Sequence, residues 1–269
     1  MLSTNARSLA PKIDCCVEYF KELETSLAFL TETWLFDSEE LERDITELEL
    51  ETGYSLIYKN RPANTCGYSA GGVAIAYQMS SIALKQIEMP GNDFEFIFSV
   101  GTMPNFKRKF IAICGYMPPA MCADAVRTCL SYLVDSILEL KDRYKDPYFA
   151  ISGDFNNHDI ASYLEDYPDL VLLRTAPRRG DRCLDLLFTN FDELVVNSGA
   201  LDPLESDAGV PSDHRVVHCS AALKRFESFH WISYTYMKQT EDGNEKFKNW
   251  LLEQTWEQVY LVDGSNKKA

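Results

Sequence analysis

Between Gly71 and Cys114 four short apolar segments, Gly71–Tyr77, Ile82–Ile87, Phe94–Val100 and Phe110–Cys114, follow one another with only turn-forming stretches between them. Segments of this length, rich in β-branched and aromatic residues and bounded by Gly, Pro and Asn, read as strands. Joined by turns, including a basic hairpin-like one at Asn105–Lys109, they indicate antiparallel-type meanders. Before and after them the period changes. Leu9, Ile13, Cys16, Phe20 and Leu23 recur at spacings of four and three, as do Val126, Leu130, Leu133, Ile137 and Leu140, and each set predicts a helix with one buried face. Further strands are expected at Met1–Thr4, Ser26–Thr31, Tyr54–Tyr58, Tyr148–Ile151 and Leu170–Leu173. A chain of 269 residues with 46% hydrophobic residues can bury a sizeable core. The alternation predicts an α/β (α+β) protein made of one large domain, with or without an appendage.

Composition excludes several classes. Eight cysteines are present, yet none forms a CxxC pair, and Cys114, Cys129, Cys183 and Cys219 sit in apolar surroundings that suit core positions. A reducing, intracellular setting is therefore expected rather than a disulfide scaffold. No apolar run has membrane-spanning length, and Met1–Asn5 carries no leader pattern, so a soluble protein without a membrane partner is expected. The net charge of −15 argues against nucleic acid until it is located along the chain. Eight acids against Arg43 fall between Asp37 and Glu51, a solvated helix face. By contrast Arg174, Arg178, Arg179 and Arg182 face only Asp181, and Lys107-Arg108-Lys109 make a second basic spot.

The polar residues of interest gather where strands end. Tyr148–Ile151 runs into Ser152-Gly153-Asp154-Phe155-Asn156, where a spacing of two puts Asp154 and Asn156 on one face. An acid beside an amide suits metal-assisted phosphoryl chemistry, and equally a turn or a helix cap. Glu32 closes the Ser26–Thr31 segment beside Trp34, either a surface glutamate or a ligand. Tyr116 lies just past Phe110–Cys114 and before Pro118-Pro119, either a rim aromatic or a phosphate donor. Asp185 stands inside the apolar run Cys183–Asn190, and an unpaired buried carboxylate there would cost several kcal/mol. His214, next to Asp213, is the donor on offer and reads as an oriented catalytic imidazole, whereas His218 reads as structural.

Taken in order, Asn5, Glu32-Thr33-Trp34, Tyr116-x-Pro-Pro, Gly153-Asp154-Phe155-Asn156, Leu184-Asp185 and Ser212-Asp213-His214 resemble the motifs of the endonuclease/exonuclease/phosphatase superfamily. Within it, Asn5-Ala-Arg-Ser-Leu, Thr31-Glu-Thr-Trp-Leu, Tyr116-Met-Pro-Pro and Leu184-Asp-Leu-Leu-Phe-Thr-Asn resemble the endonuclease domain of non-LTR retrotransposons. The resemblance runs from Leu2 to Leu223 and implies a four-layer, DNase I-like sandwich of two packed sheets flanked by helices, over residues 1–223. It implies Mg²⁺, with Mn²⁺ as a substitute, held by Glu32 with Asn5 and Asp213 nearby. Asp154 would activate water, Asn156 would hold a phosphate oxygen, and His214, held by Asp185, would stabilise the phosphate together with Tyr116. Ser212 would support the phosphate.

One position departs from the pattern. Similar domains carry Pro-Thr-Arg-Gly before the Leu-Asp motif, and this chain has Pro177-Arg178-Arg179-Gly180, so a hydroxyl gives way to a guanidinium. Arg178, Arg179 and Arg182, with the Asn60–Ser69 loop, are the expected contacts to double-stranded DNA. Residues 224–269 resemble the linker that leads to a reverse transcriptase in such proteins, a domain missing here, with Phe247, Trp250, Leu251 and Trp256 suggesting one or two helices. The expected activity is metal-dependent nicking of one DNA strand to leave a 3′-hydroxyl. The alternatives are a phosphoesterase acting on an inositol phosphate or phospholipid head group, and an inactive retrotransposon remnant.

Overall fold

The computed structural model describes residues 1–35, 38–61, 71–104, 106–164, 170–173, 184–204, 214–222 and 241–253. Contacts divide the chain into two units, Met1–Glu227 and Ser228–Ala269. In chain order the first unit contains β1 (Leu2–Asn5), α1 (Ile13–Glu22), β2 (Leu27–Thr31), α2 (Glu39–Thr52), β3 (Tyr54–Lys59), β4 (Val73–Gln78), β5 (Ala83–Ile87), β6 (Glu95–Thr102) and β7 (Phe110–Tyr116). It continues with α3 (Ala123–Tyr144), β8 (Tyr148–Asp154), α4 (Ile160–Leu164), β9 (Val171–Leu173), β10 (Asp185–Thr189), β11 (Val195–Leu201) and β12 (Val216–Ala221). In the second unit the described residues form α5 (Glu241–Glu253), where the Phe247 and Trp250 rings stack. Trp256 lies outside the described residues.

The strands make two six-stranded sheets, ordered β11-β12-β1-β2-β4-β3 and β5-β6-β7-β8-β10-β9. The expected meander is therefore split, with β4 in the first sheet and β5 to β7 in the second. Two parallel pairs decide where chemistry can sit. β1 and β2 are joined through α1, and β7 and β8 through α3, so in each pair both carboxyl ends emerge on the same edge. Asn5 lies opposite Thr31 in the first pair, and Tyr116 opposite Asp154 in the second.

Side-chain alternation assigns the layers. Along β7 and β8, Ile111, Ile113, Phe149 and Ile151 face outward onto Leu130, Leu133, Ile137 and Leu140 of α3. Ala112, Cys114 and Ala150 face inward, against Phe29, Ile75 and Val217 of the other sheet. The outer side of the first sheet is covered by Cys16, Val17 and Phe20 of α1. Each large side chain buried this way contributes roughly 1.5–3 kcal/mol. The result is the expected four-layer sandwich. Leu23, expected on the buried face of α1, is 42% exposed because the helix ends at Glu22 and Leu23 is its C-cap. The acidic α2 is solvated as expected, its first turn capped by Ser38, which accepts from the Leu41 amide.

Tyr54 closes the α1 side of the core. Its buried hydroxyl donates to the Thr25 carbonyl at 2.7 Å. Tyr54→Phe is expected to cost about 1–2 kcal/mol, since a buried carbonyl loses its donor. A urea titration checks this: the midpoint should fall at unchanged slope.

Candidate active site

Inward parity at the strand ends builds the centre. Asp154 follows Ala150 and Ser152 on the inner face of β8, and Asp185, the first residue of β10, pairs directly opposite it. Both carboxylates are buried. Asp154 divides its two oxygens between roles: Oδ1 accepts from the Asn156 amide at 3.0 Å, a local turn, and Oδ2 accepts from Asn5 Nδ2 at 2.9 Å. His214 is buried beside them, with Nδ1 2.7 Å from Asp185 Oδ2 and Nε2 3.7 Å from Asp154 Oδ2. A carboxylate can only accept, so Asp185 places the ring proton on Nδ1 and leaves Nε2 turned toward Asp154. Burial, and then the neighbouring Asp185, push the Asp154 carboxyl up to about 6 against the opposing pull of His214 and Asn5.

A second cluster stands on the same edge. Tyr116 donates to Glu32 Oε1 at 3.0 Å, and burial, then the nearby Glu32, hold its hydroxyl well above the usual tyrosine range. It is a fixed donor. Glu32, Trp34 and Asn156 adopt φ values of 49°, 51° and 51°, left-handed conformations that cost of order 1–3 kcal/mol each. The loop carrying Glu32 is pinned by the Trp34 amide, which donates to the Gly71 carbonyl at 2.9 Å. Behind it, Glu95 accepts from Arg61 Nε at 2.5 Å and from the Gly72 amide at 2.7 Å, and the Arg61 guanidinium lies 5.4 Å from the Tyr116 ring centroid. A Cβ on Gly71 would fall 2.5 Å from Arg61 Cζ, so the glycine is needed for that guanidinium to pack.

No protein-family model and no curated protein sequence matches the chain. An endonuclease/exonuclease/phosphatase from Bacteroides vulgatus matches in structure with a TM-score of 0.56 at 13% identity, over 82% of this chain and 98% of that one. The chain has the DNase I-like endonuclease/exonuclease/phosphatase fold. The same fold relates it to the endonuclease domain of TRAS1, a telomere-specific non-LTR retrotransposon, at a TM-score of 0.58 and 14% identity over 83% of this chain and 99% of that one. The human Nocturnin catalytic domain matches with a TM-score of 0.59 and 14% identity over 82% and 93%.

Within this endonuclease/exonuclease/phosphatase fold the sequence candidates separate into groups. Asn5, Asp154, Asp185 and His214 form one linked chain, and Glu32 and Tyr116 another beside it. Asn156 adjoins the first, but its Nδ2 donates to the Met117 carbonyl at 2.8 Å. Ser212, Asp213, Arg178, Arg179 and Arg182 lie outside the described residues, as does most of the Asn60–Ser69 loop. Lys107-Arg108-Lys109 precede β7, at the opposite end of that strand from Tyr116, and Arg108 is engaged with Asp146 and the Tyr148 ring. That basic spot does not border the site. Arg61 and Glu95 were not singled out from the sequence, because an Arg-Glu pair 34 positions apart has no local signature.

Asp154, Asp185 and His214 bring two carboxylates and an imidazole within 4.8 Å, a set able to hold a metal ion. Asp185 and His214 are already bonded to each other, which favours proton handling there. Glu32, held through one oxygen and one residue beyond Asn5's register partner Thr31, offers the hard oxygens that Mg²⁺ takes.

Proposed function

We propose that this protein is a divalent-metal-dependent phosphodiesterase that nicks one strand of double-stranded DNA and leaves a 3′-hydroxyl. The observation that carries this reading is the meeting of Asp185–His214–Asp154–Asn5 with Tyr116–Glu32 on one edge of both sheets. Likeness to the TRAS1 endonuclease domain supports DNA as the substrate.

Asp154 takes the proton from the attacking water, with a carboxyl value near 6 that suits a base working near neutrality. Asn5 orients its Oδ2. His214, positioned by Asp185 through Nδ1, stabilises the growing charge as an imidazolium that donates its Nε2 proton to the phosphate. Tyr116 donates to the same phosphate or holds Glu32 for it, and Asn156 keeps a second amide hydrogen for a phosphate oxygen. Glu32, with Asn5 and Asp213, would hold Mg²⁺ or Mn²⁺, which would supply Lewis-acid polarisation of the phosphate.

Supercoiled plasmid incubated with the protein and Mg²⁺ is expected to become open circular. Glu32→Ala and His214→Ala should each slow this by roughly 10²–10³-fold, as loss of one oriented electrostatic group does. Equal nicking by both variants would sink the site assignment. Release of phosphate from an inositol phosphate or a phospholipid head group without nicking would move the substrate to a small phosphoester, which the net charge of −15 favours.

A further inference from the structure

Beside Tyr116 a cavity of about 380 Å³ opens between β3, the turn before β6 and the start of α3. This is large enough for a small ligand, whose sites run from roughly 300 to 1,000 Å³. One wall is the 92–94 turn, held by Lys59 Nζ, which donates to the Asn92 and Phe94 carbonyls at 2.9 and 2.8 Å. The facing wall is Tyr116, with Arg61 against its ring. Pro118 and Met121 line the rest, and the floor reaches the buried Cys129 of α3.

Charge decides what fits. Lys59 and Arg61 are matched by Asp93 and Glu95, and Arg61 is already bonded to Glu95. With its charges balanced, the pocket has no excess field for a phosphate or carboxylate. Phe94, Tyr116, Pro118 and Met121 instead present aromatic and apolar faces, which suit a flat neutral ring. Tyr116 also joins the pocket to the chemistry, since its ring lies in the wall and its hydroxyl reaches Glu32 at 3.0 Å. A strand with its phosphate at Glu32 brings a neighbouring base within reach.

We propose that this pocket receives the base of a nucleotide next to the scissile phosphate. The placement of that phosphate rests on the phosphodiesterase reading; binding of a base does not depend on turnover. The test titrates the full chain into trinucleotides with uncleavable methylphosphonate linkages, carrying 2-aminopurine at each position in turn, and reads quenching as the fluorophore stacks. Saturable quenching is expected at one position. Met121→Trp, which fills the cavity, should weaken it at least about ten-fold, the scale of one stacked base. Met121→Ala, which removes a wall, should weaken it less, and circular dichroism checks that both variants are folded. Absence of quenching at all positions in a protein that nicks plasmid overturns the pocket and leaves the phosphodiesterase reading standing. Quenching that neither Met121 variant alters overturns the pocket as well. Quenching that responds to Met121, in a protein that does not nick, supports the pocket and overturns the phosphodiesterase reading; failure of both assays overturns both.

Discussion

Asp154→Asn is expected to abolish nicking while raising the stability of the metal-free protein at neutral pH. The carboxyl is buried against Asp185, and its value rises to about 6 in the fold, against about 3.9 for an unfolded aspartate. A raised value means that the folded state binds the proton more tightly. Below about pH 4 the group is protonated in both states and contributes nothing. As pH climbs toward 6 only the unfolded chain ionises freely, and above 6 the fold carries the full penalty, roughly 2–3 kcal/mol. An amide removes the charge and keeps one acceptor oxygen, for either the Asn5 or the Asn156 donor, so loss of the other hydrogen bond offsets part of the gain. Thermal melts in chelator should show equal midpoints for both proteins near pH 4 and a gap of several degrees in favour of the variant at pH 7.5. Equal midpoints at pH 7.5 would show that Asp154 is not held under electrostatic strain. Activity should move the other way, down about 10²–10⁴-fold on loss of the base. In the parent, nicking should fall off below about pH 6 as Asp154 takes up its proton.

Gly153→Ala is expected to unfold the region that holds the site. Gly153 pairs with Gly115 across the parallel β7–β8 ladder, and a Cβ there would lie 1.8 Å from the Gly115 carbonyl oxygen. That obstacle is backbone, so no rotamer change relieves it. Separating the two strands costs about 3 kcal/mol or more, the upper range for overpacking. It also displaces Tyr116 and Asp154, which face each other one register step further on. Gly91→Ala is the matched control, at a positive φ but with open space around it. Urea unfolding of both variants, with plasmid nicking measured below the transition, checks the expectation; a Gly153→Ala loss no larger than that of Gly91→Ala would refute it.

Gly153 next to Asp154 suggests a tight turn or a close approach to a ligand. The close approach found is to a neighbouring strand, and it takes the pairing of two residues 38 positions apart to see it. Asp185 was more legible. A carboxylate inside an apolar run requires a partner, and His214 was the donor on offer; they meet at 2.7 Å. Strand β11 was not foreseen, since this edge strand is mostly half-exposed and lacks an apolar alternation.

Local order along the chain was thus determined by the sequence itself: strand and helix periods, the polar residue at each strand end, and the solvated acidic helix. Those features depend on spacing of two or 3.6 residues and on burial cost, which act over a few neighbours. Only tertiary structure decided that β4 leaves the meander for the other sheet, that Asn5 bonds Asp154 across 149 positions, and that Arg61 and Glu95 buttress Tyr116. Those choices come from which faces cover one another between the two sheets, and no local propensity encodes them.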